Sequence, residues 1–221
     1  MKTIVFDFDG TLTKKSHEIW TKMWERINCR ELDNKLYNAY KNKEIDYIEW
    51  CKEIEIAYKE HHFNESMLKE LTKDIELMDN LEETLKILKA NNYNLYIISG
   101  GVDKVIYSKL GDLVKYFSGI YSCKFEFDNK GNLTHIEPTK YDDEGKKWFI
   151  DEYCSKYNID PKDITFIGNG DNDEYVYLSG CHTICINPIK VTRSDNKKIW
   201  HKVIKESTNM LDILKYLEIK K

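Results

Sequence analysis

The chain has 221 residues, of which 41% are hydrophobic and 33% are charged, and its formal net charge is −4. This composition is typical of a soluble globular protein, with one domain or a core domain plus a small accessory one. The mild charge argues against nucleic acid as a partner, and no apolar run approaches the roughly 20 residues of a membrane span. The first apolar run is interrupted by aspartates, which is not typical of a secretory leader.

Six cysteines are scattered along the chain, and none of them lies in a C-x-x-C pair. A metal site or disulfides would be the functional interpretation. The simpler interpretation is that they are reduced thiols packed as small hydrophobic groups. We therefore expect a cytoplasmic protein.

Four short apolar runs, rich in β-branched and aromatic residues, predict strands that end in polar turns. They lie at 3–8, 93–98, 164–167 and 182–186. Helical spacing of apolar residues precedes the second and third runs and also closes the chain at 210–217. This alternation predicts an α/β fold with a parallel sheet.

Residues 14–78 break the alternation, because they contain four amphipathic stretches and no convincing strand. We predict a helical module inserted after the first strand. Its aromatic stripes either line a ligand pocket or form the core of the module. A second small insertion at 125–136 has the pattern of a β-hairpin.

Polar residues follow the predicted strands, and the carboxyl ends of parallel strands meet at one edge of a sheet. Asp7 and Asp9 follow the first strand, and their i, i+2 spacing puts both carboxylates on one side. Mg²⁺, a hard cation with oxygen ligands, is a natural partner for such a pair. The alternative is a helix cap or a solvated turn.

Three later segments add candidates for the same site. Ser99-Gly100-Gly101 is interpreted as a turn before a helix starting at Val102, a typical anion site. Lys146 and Lys147 open the helix before the third strand. The turn at 168–173 supplies asparagine and aspartate oxygens that suit either Mg²⁺ or helix capping.

Together these motifs resemble those of the haloacid dehalogenase-like hydrolases, in particular the phosphoserine-phosphatase-like branch. Residues 7–13 match the first motif, Ser99-Gly100-Gly101 the second, Lys146 the third and residues 168–173 the fourth. The resemblance implies a doubly wound, Rossmann-like parallel sheet with a type 1 helical cap. We expect the core domain at 1–13 plus 79–221 and the cap domain at 14–78.

The resemblance also implies a Mg²⁺-dependent phosphatase acting on a small phosphorylated metabolite through an aspartyl-phosphate. Under this hypothesis the site residues fall into four groups. The catalytic residues are Asp7, Asp9 and Lys146. The phosphate-binding residues are Gly10, Thr11, Ser99 and Gly100. The metal-binding residues are Asp7, Asp9, Asn169 and Asp173. The cap residues expected to contact the substrate are Glu18, Trp20, Trp24, Tyr47, Trp50 and Lys52. We expect a monomer or a homodimer.

Two departures from the family pattern affect these expectations. Asn169 stands where the family usually has an aspartate, so we expect weaker Mg²⁺ binding. Ser16 and Lys52 stand where phosphoserine phosphatases place a glutamate and an arginine, although Glu18 could replace the missing acid. Because lysine captures a carboxylate less well than arginine does, phosphoserine is not the favoured substrate.

Three alternatives use the same residues. A phosphotransferase would pass the phosphoryl group from Asp7 to an alcohol, and a non-catalytic protein would bind phosphorylated ligands without turnover. Asn169 is the feature that favours the non-catalytic alternative. A true dehalogenase is disfavoured by Asp9, because a leaving halide needs no acid.

Overall fold

A mostly parallel sheet forms the centre of the computed structural model, which describes residues 2–189 and 199–219. Within these residues seven strands pair in the order β4–β3–β2–β1–β5–β6–β7. Neighbouring strands are parallel except β3 and β4, which form the predicted hairpin. The strands are β1 (Thr3–Phe6), β2 (Asn94–Val102), β3 (Gly119–Phe127), β4 (Leu133–Glu137), β5 (Ile164–Gly168), β6 (His182–Ile186) and β7 (Lys202–Ile204).

Helices connect the strands, and the predicted α/β fold is confirmed. The α-helices are α1 (Ile19–Arg26), α2 (Arg30–Lys41), α3 (Tyr47–Glu60), α4 (Glu65–Thr72), α5 (Leu81–Ala90), α6 (Asp103–Leu110) and α7 (Glu144–Tyr157). Further 3₁₀ segments are Gly111–Tyr116, Pro161–Asp163, Asp171–Ser179 and Met210–Tyr216. In the described part of the chain, no helix combines the length and the apolar character needed to cross a membrane.

The central strand β1 is buried on both faces, as its unbroken apolar sequence requires. Ile4 and Phe6 point into one hydrophobic cluster, which also contains Leu85 of α5 and extends to Trp24 of α1. Val5 points the other way, into a cluster that α7 covers. β1 is therefore held from both sides, and its carboxyl end is fixed in the middle of the sheet.

The four predicted helices between residues 14 and 78 are present as α1–α4. The helix α3 begins with a capping box, in which Asp46 and Glu49 satisfy each other's backbone N–H groups. The segment that contains these helices begins and ends at one place, because Thr13 forms an antiparallel bridge with Leu77. The division into core and cap domains stays a prediction.

Three sequence predictions differ from the structure. Residues 99–101 are not a turn, because β2 continues to Val102 through a register shift against β3, and α6 begins one residue later than predicted. Glycines tolerate such a bulge. The segment that closes the chain is a 3₁₀ helix at Met210–Tyr216. The short strand β7 was not predicted, because three residues are too few to show a period.

Candidate active site

Three polar segments meet at the carboxyl end of the central strand. Phe6, the last residue of β1, pairs with Ile97 of β2 on one side and with Ile167 of β5 on the other. Asp7 follows directly, and its N–H donates to the Ile167 carbonyl at 2.9 Å. The sheet order therefore places the first, second and fourth motifs side by side.

A buried chain of ion pairs joins Asp7 to Lys146 and Asp173. Nζ of Lys146 lies 2.9 Å from Oδ1 of Asp7 and 2.5 Å from Oδ1 of Asp173, and the lysine side chain is fully buried. Oδ2 of Asp173 accepts the backbone N–H groups of Asn169 and Gly170 at 2.8 and 3.0 Å. Asp173 thus holds both the lysine and the loop after β5.

Burial and charge act in opposite directions on this group. Burial raises the pKa of Asp7 to about 7, although Lys146 opposes the shift. Burial alone would lower the pKa of Lys146, but the carboxylates of Asp173 and Asp7 raise it above its ordinary value. The lysine therefore stays charged, and the three side chains together carry an excess negative charge.

The side chain of Asp9 is held by the segment that leads into α1. Its carboxylate accepts the backbone N–H of His17 at 3.0 and 3.1 Å and the hydroxyl of Ser16 at 3.1 Å. Burial raises the pKa of Asp9, and the hydrogen bonds from His17 and Ser16 oppose that rise. A carboxyl group that takes up a proton more easily than usual is suited to exchange protons with a ligand.

A cavity of about 220 Å³ lies beside these carboxylates. The predicted site residues that line it are Asp7, Asp9, Ser99, Gly100, Asn169 and Trp20. Ser99 is almost fully buried, and its hydroxyl oxygen accepts the N–H of Gly101 at 3.1 Å. A larger depression beside α5, about 450 Å³ in volume, is lined by none of the predicted site residues.

Two predicted phosphate-binding residues are not brought to the cavity. The N–H of Gly10 donates to the Thr13 hydroxyl at 2.7 Å, so it is not free for a phosphate oxygen. Thr11 is fully buried, and its hydroxyl lies 3.5 Å from Oδ1 of Asn169. Gly10 has φ +78°, and a Cβ there would overlap the Asn169 amide, so this glycine allows the loops to approach.

Most of the cap residues predicted to contact the substrate lie elsewhere. Of the six, only Trp20 lines the cavity. Glu18 and Lys52 are exposed. Trp24 is buried against Tyr58, with ring centroids 4.9 Å apart.

Tyr47 and Trp50 also lie away from the cavity. Both pack with Tyr40 in an aromatic cluster of α2 and α3, in which the Tyr40 and Trp50 rings are stacked 5.0 Å apart. Most of these aromatic side chains therefore pack α1–α4 together and do not line the cavity.

The structure adds cavity residues that the sequence did not single out. Asp142 contributes a further carboxylate, which accepts a hydrogen bond from Nδ2 of Asn172 at 3.0 Å and lies against Gly100. Asn172 belongs to the fourth motif, so the sequence already indicated that it lies near the site. Asp142 lies in a loop whose sequence has no recognisable pattern. Further apolar lining residues come from α1, α6 and the segment after α4, namely Ile19, Ile75, Val105 and Ile106.

The oxygen donors at this edge of the sheet fit Mg²⁺. In the described ranges, no three His, Cys, Asp or Glu side chains are grouped as a metal site. Mg²⁺ needs only one or two carboxylates, since neutral oxygens and water complete its shell. Asp7 supplies a carboxylate, and Asn169, whose side chain has an amide oxygen, lines the same cavity.

Comparison with known proteins agrees with this geometry. Residues 1–174 match the family model of the haloacid dehalogenase-like hydrolases. The chain belongs to this family. The predicted resemblance is therefore confirmed.

Two curated relatives of this family member are phosphoserine phosphatases. One, from Archaeoglobus fulgidus, is 26% identical over 176 residues, which are 78% of this chain and 48% of that protein. The other, from Saccharomyces cerevisiae, is 24% identical over 177 residues, which are 78% of this chain and 54% of that protein. The chain spans about half the length of these relatives.

Solved structures show the same fold for this haloacid dehalogenase-like chain. A phosphoserine phosphatase with a phospho-aspartyl intermediate analogue has a TM-score of 0.70 at 22% identity, covering 98% of this chain and 99% of that one. A substrate-bound phosphoserine phosphatase has a TM-score of 0.72 at 20% identity, covering 98% of each chain. The fold class of the core is confirmed by these neighbours.

Replacing Lys146 should destabilise the protein far more than replacing its neighbour Lys147. Lys146→Met leaves Asp7 and Asp173 buried without their cation, so we expect the free energy of unfolding to fall by about 3–5 kcal/mol. Lys147 pairs with Asp151 at the surface, and Lys147→Met should change the free energy of unfolding by less than about 0.5 kcal/mol. Urea unfolding at pH 7 measures both, and equal losses in the two variants would contradict the central role of Lys146.

Proposed function

We propose that this protein is a Mg²⁺-dependent phosphatase that hydrolyses a small phosphomonoester through a covalent phosphate on Asp7. The observation that carries the proposal is the position of Asp7. It borders the cavity at the end of the central strand and is paired with a fully buried lysine. We also propose that residues 14–78 act as a cap over the core, since they leave and return at the Thr13–Leu77 bridge.

The proposed reaction has two steps. A carboxylate oxygen of Asp7 attacks phosphorus and the bond to the leaving alcohol breaks, while Asp9 gives that alcohol its proton. Asp9 then takes a proton from water, whose oxygen attacks phosphorus and releases inorganic phosphate and free Asp7. A covalent intermediate divides a very slow hydrolysis into two easier displacements.

The surrounding residues would stabilise the transferring phosphoryl group. Ser99 and the backbone N–H of Gly100, two residues that line the cavity, would bind its oxygens, and the Lys146 ammonium favours the charged form of Asp7. Mg²⁺ would be held by the Asp7 carboxylate, the Asp9 main-chain carbonyl and the Asn169 side chain, and when bound it would offset phosphate charge. The contacts of Asp173 with Lys146 and with two backbone N–H groups support a positioning role over direct metal binding.

The cellular location and the oligomeric state of the protein are also proposals. Four of the six cysteines are buried, as small hydrophobic groups are, which supports a cytoplasmic location. The oligomeric state, monomer or homodimer, stays a prediction.

The two aspartates should respond differently to replacement by asparagine. Asp7→Asn removes the nucleophile, so turnover of a generic phosphate ester with Mg²⁺ should be abolished. Asp9→Asn removes the proton donor, so it should lower turnover by about 10²–10⁴-fold while substrate still binds.

Phosphate release and equilibrium binding, measured on both variants and on the wild type, test this difference. Substantial activity in Asp7→Asn would rule out the covalent mechanism. A folded wild type with no turnover, and no effect of EDTA, would instead favour the phospholigand-binding alternative.

Restoring a carboxylate at position 169 should strengthen metal binding. Asn169→Asp adds a negative charge beside Asp7, and a divalent cation gains from it, so the Mg²⁺ concentration for half-maximal activity should fall about tenfold or more. Asn172→Asp is the matched control, because Asn172 lines the same cavity but donates to Asp142. An unchanged or higher Mg²⁺ requirement in Asn169→Asp would refute the idea that the asparagine weakens the site.

A further inference from the structure

The part of the cavity beyond the strand ends has an apolar wall. Ile19 and Trp20 come from α1, Ile75 follows α4, and Val105 and Ile106 come from α6. Three separate segments supply these side chains, so the apolar wall does not depend on a single residue. It borders the space that a leaving group would occupy if the phosphate lies against Asp7 and Ser99.

The position of Trp20 is fixed. Its Nε1 donates to the carbonyl of Gly100 at 3.0 Å, and its ring packs edge-to-face on Phe125 with centroids 5.7 Å apart. The indole therefore lies beside Gly100 and is held in place from two sides. With a volume of about 220 Å³, the cavity is smaller than the roughly 300–1,000 Å³ of typical ligand pockets.

The charged side chains that line the cavity are all carboxylates, namely Asp7, Asp9 and Asp142. Across residues 2–189 and 199–219 no lysine or arginine lines it, and Lys146 is fully buried behind Asp7 and Asp173. Among these described residues, a carboxylate on the leaving group would meet only like charges in place of its hydration, which is costly.

The arginines give this cavity no partner for a carboxylate in the described ranges. Arg26 pairs with Glu70 at 2.8 Å and Arg30 pairs with Asp33, and neither lines the cavity. Arg193 lies outside the described residues. Lys52, expected at the place of a substrate-binding arginine, is exposed on α3 and does not line the cavity.

We infer that the leaving group is a small, uncharged, apolar alcohol and that amino-acid phosphates are poor ligands. This inference rests on the proposed function, because it assigns the phosphate to the Asp7 end of the cavity. Specificity then comes from the wall of α1, α6 and Ile75. The carboxylates near the phosphate would also repel a second acidic group on the ligand.

Binding of non-hydrolysable phosphonates tests the inference without requiring turnover. Isothermal titration calorimetry with Mg²⁺ should compare butylphosphonate, 3-aminopropylphosphonate and 2-amino-4-phosphonobutanoate. The last has the same four-carbon chain, with a carboxylate in place of the methyl group and an ammonium beside it. We expect butylphosphonate to bind at least about fourfold more tightly than the aminopropyl compound, which lacks one buried methyl group. We expect it to bind at least about tenfold more tightly than the amino-acid phosphonate, whose carboxylate would be buried without a partner.

The result that would overturn the inference is clear for each ligand. Equal or tighter binding of the amino-acid phosphonate would show a hidden carboxylate partner, and tighter binding of the aminopropyl compound would show that Asp142 selects a cation. No binding of any of the three would also overturn it. Phosphate release from n-butyl phosphate reports separately on the proposed function, so the two can fail independently.

A charge placed on the wall should reverse the preference. Ile19 is half-buried at the start of α1, so Ile19→Arg can bring a guanidinium to the cavity. We expect it to tighten 2-amino-4-phosphonobutanoate about tenfold or more, as a charge-assisted hydrogen bond does, and to weaken butylphosphonate. Ile56→Arg is the matched control, because Ile56 is exposed on α3 and does not line the cavity. The same change in both variants would show that the wall does not set the specificity.

Discussion

The buried pairing of Lys146 with Asp7 and Asp173 is the interaction on which the site depends. A lysine without solvent contact is stable only when carboxylates surround it, so its burial fixes both aspartates in turn. The three residues come from α7, the end of β1 and the 3₁₀ segment after β5, which are distant in the sequence. The same interaction therefore holds the sheet, the helix behind it and the loop after β5 in one arrangement. It also keeps negative charge at the edge where a phosphate and a cation would have to meet.

The segment from Ser16 to Trp20 connects that charged centre to the ligand-facing surface. Ser16 and His17 hold the carboxylate of Asp9, while Ile19 and Trp20 line the cavity. Trp20 also donates to Gly100 on the opposite side of the site. The residues that hold Asp9, which is proposed to transfer protons, and the residues proposed to contact the leaving group thus share one short stretch of chain. A movement of α1 would change proton transfer and substrate fit together.

The sequence predicted the parts of the site that follow from strand geometry. Asp7, Asp9, Ser99 and Asn169 come after buried apolar runs, and the ends of such runs meet in a parallel sheet. It could not predict which aromatic residues of α1–α4 line the cavity, because Trp20 and Trp24 are one helical turn apart on α1 and only the packing distinguishes them. Asp142 lies in an irregular loop, so no periodicity marked it. It could not predict the hydrogen-bond partners of Gly10 and Thr11 either, because a motif gives residue types, whereas the partners of a backbone N–H depend on the folded turn.

The apolar residues that line the cavity contribute unequally to the hydrophobic core, and this difference limits which of them can be replaced. Val105 and Ile106 belong to the hydrophobic cluster that packs α6 on the sheet, so replacing them would open a void in the core as well as in the cavity. Ile19 is only partly buried and stands in the first turn of α1, where a larger or charged side chain can extend into the cavity at little cost to the core. Two parts of one wall are therefore under different constraints. The α6 side is set by the stability of the fold, and the α1 side is free to set the size and charge of the group that fits the cavity.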